Sequence, residues 1–338
     1  MLLVNSRVLR GNFGGIQRYT SEIIKRINFD GVLSPKLGYS SGIKGHLWEQ
    51  VILPKSIKSN DLLWSPSNTG PIKLENQIVT IHDLSPIDHP EWFSSSYSGA
   101  YRFIIPRLLK VCRGIVADSL FTKERIISNF KIPEHKISVI YLGVTDILNN
   151  SNCLCNEIDT VTIQENFFVT VSTLSERKNL KSCIEAWNNY KKKYKNDHVL
   201  YVVGEHSKNN IFKYLEYEHD SSVIFLGFIS DEQLIYLYKN AIAMLYLSLY
   251  EGFGLPPLEA MFYGCPVICS NTTSVGEVVG NAALKVNPIN IDDIVTKLVM
   301  ISNIKMRNDL IALGKEHVKF FTWESTAQNL RNLFSKLT

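Results

Sequence analysis

Residues 241–270 read AIAMLYLSLYEGFGLPPLEAMFYGCPVICS. An apolar run at 241–247 leads into a turn containing Gly252 and Gly254, then Pro256, Pro257 and a helix-like segment to 263. A second apolar run, CPVICS at 265–270, closes the stretch. Strand, turn, helix and strand within about thirty residues is the βαβ unit of a parallel sheet. Its strands are apolar throughout because helices cover both faces. Proline suits the first turn of the helix, where its missing N–H would have gone unpaired.

The same alternation extends outward. Short apolar runs at 166–173 (NFFVTVST), 198–204 (HVLYVVG) and 222–227 (SVIFLG) alternate with helical patterns at 180–194, 231–239 and 291–302. In the first half, 2–8, 78–82 and 114–117 read as strands, and 15–27, 97–111 and 122–130 as helices. These patterns predict an α/β protein of two Rossmann-like doubly wound domains facing across a cleft, with ligands beyond the carboxyl ends of the strands. The joint falls at 146–162, where small polar residues break the periodicity, giving domains of 1–150 and 151–321.

Composition fits that plan. The chain has 338 residues, 45% hydrophobic and 20% charged, which excludes disordered and collagen-like classes and allows two cores. A formal charge of +4 is far from that of a dedicated nucleic-acid binder. The surplus is uneven: residues 1–150 carry 18 Lys and Arg against 12 Asp and Glu, while the remainder is slightly acidic. The longest apolar run is about half the roughly 20 residues of a membrane span. The opening MLLVNSRVLRGNFGG reaches arginine too early for a secretory apolar core. Six cysteines without paired zinc spacing predict reduced thiols and a cytoplasmic chain.

Candidate functional residues cluster at strand exits. Glu251 precedes the Gly252-Phe253-Gly254 turn, which Leu255 follows, and Glu259 lies eight residues after Glu251, inside the helix entered through Pro256 and Pro257. Free N–H groups at a helix start suit phosphate, and carboxylates accept hydrogen bonds from vicinal diols, so the pair suits a ribose and a hexose. The plainer reading is a proline-led helix start with two solvated glutamates. Arg177 and Lys178 lie between a strand and a helix, where two cations would stabilise a departing diphosphate; a solvated helix start is the plainer reading. His82, with Asp83 beside it, follows a short strand and is either structural or directed toward ligand. Gly14 and Gly15 lie in a loop that lacks the G-x-G-x-x-G spacing of a dinucleotide site. The chain has no Asp-x-Asp triplet for a divalent ion, which predicts a metal-independent site.

The ordered set resembles the retaining glycosyltransferases of family 4, which have the two-Rossmann GT-B fold. Glu251 and Glu259 match the family's pair of glutamates spaced by seven residues. Gly14-Gly15 resembles its glycine loop, Ile81-His82-Asp83 its central histidine motif, Ala117-Asp118-Ser119 the end of its first domain, and 175–180 (SERKNL) its lysine region. Thr173 stands where the family commonly has an earlier arginine. The resemblance implies that Lys178 and Arg177 meet the diphosphate, Glu259 the ribose and Glu251 the donor sugar. By the same resemblance His82 approaches the sugar, Gly227 and Phe228 the nucleobase, and Gly14 and Gly15 donor phosphate and acceptor. It further implies that a last helix, 322–338, returns to the first domain. The Arg-Lys-Asn and His-Asp forms look most like bacterial mannosyltransferases of surface polysaccharide synthesis. That implies a nucleoside diphosphate sugar donor, GDP-mannose favoured, with no cofactor, and a lipid-linked oligosaccharide acceptor. The basic first domain would then touch an anionic membrane surface from the cytoplasmic side. Other donors (rhamnosyl, fucosyl, glucosyl), a sugar-nucleotide epimerase and a non-catalytic sugar-nucleotide-binding protein are the competing readings.

Overall fold

A computed structural model describes residues 1–10, 14–36, 42–144, 163–173, 175–204 and 219–337. The chain divides into two compact units, each built on one sheet. The first takes Met1–Pro90, Ser95–Gly143 and Phe321–Thr338; the second takes Glu91–Ser94 and Val144–Phe320. The division falls between Gly143 and Val144, and the joint read at 146–162 lies outside the described residues.

In the first unit β1 (Leu2–Asn5), β2 (Gly31–Leu33), β3 (Leu62–Ser65), β4 (Gln77–Ile81), β5 (Gly114–Ala117) and β6 (Ile137–Val139) pair in the order β2-β1-β3-β4-β5-β6. In the second, β7 (Phe167–Val171), β8 (Val199–Val203), β9 (Val223–Gly227), β10 (Ala243–Tyr246), β11 (Val267–Ser270) and β12 (Leu284–Val286) pair as β12-β11-β10-β7-β8-β9. Every pairing in both sheets is parallel. The expected pair of doubly wound α/β units is present. The second sheet has the dinucleotide-fold strand order, although the sequence lacks the dinucleotide fingerprint.

Four strands have no counterpart among the runs read from the sequence. β2, β6 and β12 are three residues each, too short for a period to register, and β3 is a four-residue LLWS cut off by Pro-Ser-Asn-Thr-Gly-Pro. The helix Ile304–His317 was also illegible, because only Leu310 and Gly314 in it are buried.

The core strands are sealed from water as both-face coverage requires: Leu62, Leu63, Trp64, Val79 and Ile81 in the first unit, Phe168, Val169, Met244 and Leu245 in the second, are fully buried. In the first unit Trp64 stacks on Phe29 with centroids 5.5 Å apart and meets Phe334 at 6.0 Å. Phe334 belongs to the last helix, Trp323–Leu337, which packs within this unit through Trp323, Ala327 and Leu330. Arg26 donates to Glu324 at 2.8 Å, and Thr326 Oγ1 donates to the Tyr141 carbonyl at 2.8 Å. At Gly143 the chain passes so close to this helix that a Cβ would lie 2.2 Å from the Trp323 nitrogen. Gly143→Ala is therefore expected to lower the melting temperature by several degrees, since that backbone clash has no flexible side chain to absorb it. Thermal denaturation of the variant measures the effect.

Candidate functional site

In the second sheet the chain runs from β7 outward to β8 and β9, then returns to the other side of β7 as β10. The reversal therefore lies between β7 and β10, and beyond their carboxyl ends an open α/β sheet places its ligands. Two loops meet there. One leaves β7 and forms a tight helical turn, Glu176–Lys178, ended by Asn179 in the left-handed conformation at φ 54°. The other leaves β10 and reaches the helix Leu255–Phe262.

Hydrogen bonds bolt the two loops together. The Leu249 amide donates to the Arg177 carbonyl at 2.8 Å. Asn179 Nδ2 donates to the carbonyls of Leu247 (3.0 Å) and Pro288 (2.7 Å). Arg177 Nη1 donates to the Tyr250 carbonyl at 3.0 Å and to Glu251 Oε2 at 2.8 Å. Lys178 Nζ donates to Glu251 Oε1 at 2.7 Å, and the Tyr246 hydroxyl reaches the same oxygen at 2.9 Å. From below, Ser274 Oγ donates to the Glu251 carbonyl at 2.7 Å. One buried carboxylate, 8% exposed, thus faces two cations and a phenol.

Burial pushes the Glu251 carboxyl up, but Arg177 and Lys178 more than reverse this and hold it at about 2. At neutral pH Glu251 is an ionised acceptor and has no proton to give. The cluster carries a net positive charge in a partly dehydrated site, where an incoming anion is attracted strongly. Such a site can hold a diphosphate on its cations and sugar hydroxyls on its carboxylate.

The neighbouring residues frame it. Gly254 caps the helix at φ 108°, a conformation that disfavours any side chain. Phe253 is buried, Gly252 precedes it, Leu255 starts the helix, and Glu259 lies one turn in, 7% exposed. Gly227 ends β9 at φ 68°, beside an irregularity in the β8–β9 register. Phe228 after it is 80% exposed, presenting a bare ring to solvent.

The other sequence-read residues belong to the first unit. Gly14 caps the helix Gly15–Arg26 with an extended backbone. Asp83 Oδ1 accepts from the Ser85 amide (2.9 Å) and hydroxyl (2.7 Å), fixing the short helix Ser85–Asp88. His82 is bonded at both ring nitrogens: Nδ1 to Asp118 Oδ2 at 2.6 Å and Nε2 to the Pro66 carbonyl at 2.7 Å. Its amide donates to Asn68 Oδ1 at 2.6 Å, and Tyr19 packs edge-on at 5.1 Å. The sequence leaves His82 structural or directed toward ligand; in the fold both ring nitrogens are bonded inside the unit, and the ring ties together the exits of β3, β4 and β5.

Burial pushes the His82 imidazole down, and Asp118 more than offsets this, so it keeps its proton above the ordinary histidine range. Burial lifts the Asp118 carboxyl, and His82 only partly offsets this. The folded state therefore binds more protons than the unfolded one above about pH 6.5, the unfolded histidine value. This stability is complete below that value and is lost as pH rises through the raised one. Asp118→Asn should flatten the decline in stability on the alkaline side of neutrality, as urea titrations at pH 6–9 would measure.

A model described as "Glycosyl transferases group 1" matches residues 159–317, and one described as "Glycosyltransferase Family 4" matches 74–146. The O-antigen chain mannosyltransferase RfbU of Salmonella typhimurium is 30% identical over 274 residues, 80% of this chain and 72% of the relative. The chain belongs to the family 4 glycosyltransferases. A second relative, O-antigen chain mannosyltransferase B of Escherichia coli, is 28% identical over 274 residues, 79% of this chain and 72% of its own. Among solved structures, WaaG, a glycosyltransferase involved in lipopolysaccharide biosynthesis, superposes with a TM-score of 0.71 at 14% identity, covering 98% of this chain and 99% of its own. Anabaena HepE in complex with UDP and glucose superposes with a TM-score of 0.69 at 16% identity, with 99% of both chains covered. At those identities the likeness shows the fold.

In this glycosyltransferase the structure joins Arg177, Lys178 and Glu251 directly. It sets Gly252 to Leu255 and Glu259 downstream on the same turn and helix. Gly227 and Phe228 stand at the exit of β9. Two residues of these networks went unread as such: Tyr246, a hydroxyl at the end of an otherwise aliphatic strand, and Asp118 as the partner of His82. A lone polar group closing an apolar strand is the signal that finds Tyr246. For Asp118 the sequence offers none, because its partner lies 36 residues away.

Proposed function

We propose that this enzyme moves a mannosyl group from GDP-mannose to a hydroxyl of a lipid-linked oligosaccharide, with retained anomeric configuration. The observation that carries the reading is the pair of cations on one buried carboxylate at the β7–β10 reversal. The mannosyltransferase relatives support the choice of sugar. In this reading Arg177 and Lys178 bind the diphosphate, Glu251 the hexose hydroxyls, Glu259 the ribose, and Gly227 with Phe228 the nucleobase. As the anomeric C–O bond breaks, the leaving phosphate oxygen gains negative charge, which the two cations stabilise. The acceptor hydroxyl attacks on the same face, and its proton passes to that phosphate oxygen. Glu251 stays ionised throughout and holds the sugar by accepting hydrogen bonds.

Positive charge from Arg177 and Lys178 does the work a divalent ion does elsewhere, so full turnover in EDTA is expected. Loss of activity there contradicts the metal-independent reading. No helix among the described residues is long and apolar enough to cross a membrane. The surplus of six cationic side chains in residues 1–150 supports docking on an anionic cytoplasmic leaflet. Sedimentation with liposomes should rise with anionic lipid and fall with salt; insensitivity to both overturns that part. For the donor, thermal shifts with GDP, UDP and dTDP decide, since a ligand that binds only the native state raises its melting temperature. GDP should raise it most, and a larger shift with UDP or dTDP reassigns the nucleobase.

A further inference from the structure

Tyr246 is the last residue of β10, only 2% exposed, and its hydroxyl lies inside the charged cluster. It touches Lys178 Nζ at 2.8 Å and Glu251 Oε1 at 2.9 Å, while those two atoms are themselves 2.7 Å apart. The three polar atoms form a closed triangle. Their roles are fixed by chemistry: an ammonium only donates and an ionised carboxylate only accepts, so the phenol accepts from Lys178 and donates to Glu251. Burial and the Glu251 charge keep the phenol protonated far above neutrality, so the donor is always present.

This arrangement resolves a conflict within the site. Arg177 and Lys178 both point at Glu251, yet the proposed reaction needs both for a diphosphate. When an anion draws the cations, their bonds to Glu251 weaken, and a buried carboxylate left unpaired is costly. The Tyr246 hydroxyl is the neutral donor that phosphate does not compete for by charge.

We propose that Tyr246 is a positioning residue, holding the Glu251 carboxylate in place for the donor sugar after the diphosphate has engaged Arg177 and Lys178. The inference rests on the donor-site reading above. It assigns the phenol no contact with the reacting atoms. Its effect passes through Glu251, so it is felt in the chemical step more than in nucleotide binding.

Tyr246→Phe keeps the ring, its packing and its face 4.9 Å from Lys178 Nζ, and removes the hydroxyl that bonds both Lys178 and Glu251. GDP titration by calorimetry and turnover of GDP-mannose without acceptor, read as hydrolysis, measure the two effects separately. The expected result is GDP affinity within about twofold of wild type, an unchanged KM for GDP-mannose, and kcat lower by about ten- to hundredfold. Unchanged kcat overturns the inference. So does a loss confined to GDP affinity, which would make Tyr246 a simple support for Lys178. Lys178→Gln in parallel keeps the outcomes apart: if that variant binds GDP as well as wild type, the donor-site reading itself fails, whatever Tyr246→Phe does. If Tyr246→Phe melts several degrees lower, kcat is compared with wild type well below both melting temperatures, where the deficit should persist. Recovery of wild-type kcat there counts against the positioning role.

Discussion

Glu251→Gln is expected to lower turnover by about 10²–10³-fold while tightening GDP binding by about three- to tenfold. The two effects have opposite signs because Glu251 has two relations to the same cations. In the free protein its carboxylate occupies Arg177 at 2.8 Å and Lys178 at 2.7 Å, so it competes with any diphosphate for them. Glutamine keeps the shape and removes the negative charge, leaving both cations to the phosphate. Tenfold in affinity is about 1.4 kcal/mol, modest for a charge removed from a site this buried. The turnover loss follows from the other relation: an amide is a far weaker acceptor than an ionised carboxylate for the sugar hydroxyls of a centre gaining positive charge. Calorimetric GDP titration with a hydrolysis assay checks both signs on one preparation. Weaker GDP binding in Glu251→Gln would show that the carboxylate supports the nucleotide instead of competing with it.

The second large effect is expected at Lys178. Lys178→Gln should weaken GDP binding by about ten- to hundredfold and cut turnover by about 10²–10³-fold, because the lost charge serves both the bound diphosphate and the leaving group. It also leaves Glu251 with one cation where it had two, so the carboxyl, now at about 2, titrates upward toward its usual range. Since a lowered carboxyl contributes stability that is lost as pH falls through its folded value, the variant should lose that contribution at a higher pH than wild type. Acid unfolding followed by circular dichroism tests this, with the midpoint moving to higher pH. Wild-type GDP affinity in Lys178→Gln would remove the lysine from the donor site.

The sequence made some features readable and hid others for identifiable reasons. Strands such as 243–246 and 267–270 are apolar on both faces, so their composition alone marks them. The 251–259 spacing is local, and the turn between its two glutamates is written in Gly and Pro. Arg177 and Lys178 were readable as cations at a strand exit, but their ion pairs with Glu251 span 74 and 73 residues. Only the β7–β10 pairing brings them together. His82 shows the opposite limit. Its position after a strand fits a structural role as well as one toward ligand, and nothing local marks Asp118 and the Pro66 carbonyl as the partners of its ring. The triangle at Tyr246 combines both cases: the tyrosine is visible in AIAMLYL, and its purpose is not, because that depends on which two groups the fold places within 3 Å.

The β7–β10 reversal is expected to bind a nucleoside diphosphate sugar and to break its anomeric bond with retention. NMR of GDP-α-mannose incubated with the protein and no acceptor tests it most directly. GDP and mannose should appear together, the mannose first as its α anomer, and neither should form above background with Glu251→Gln. A sugar-nucleotide epimer in place of free mannose, or mannose released first as the β anomer, would contradict it.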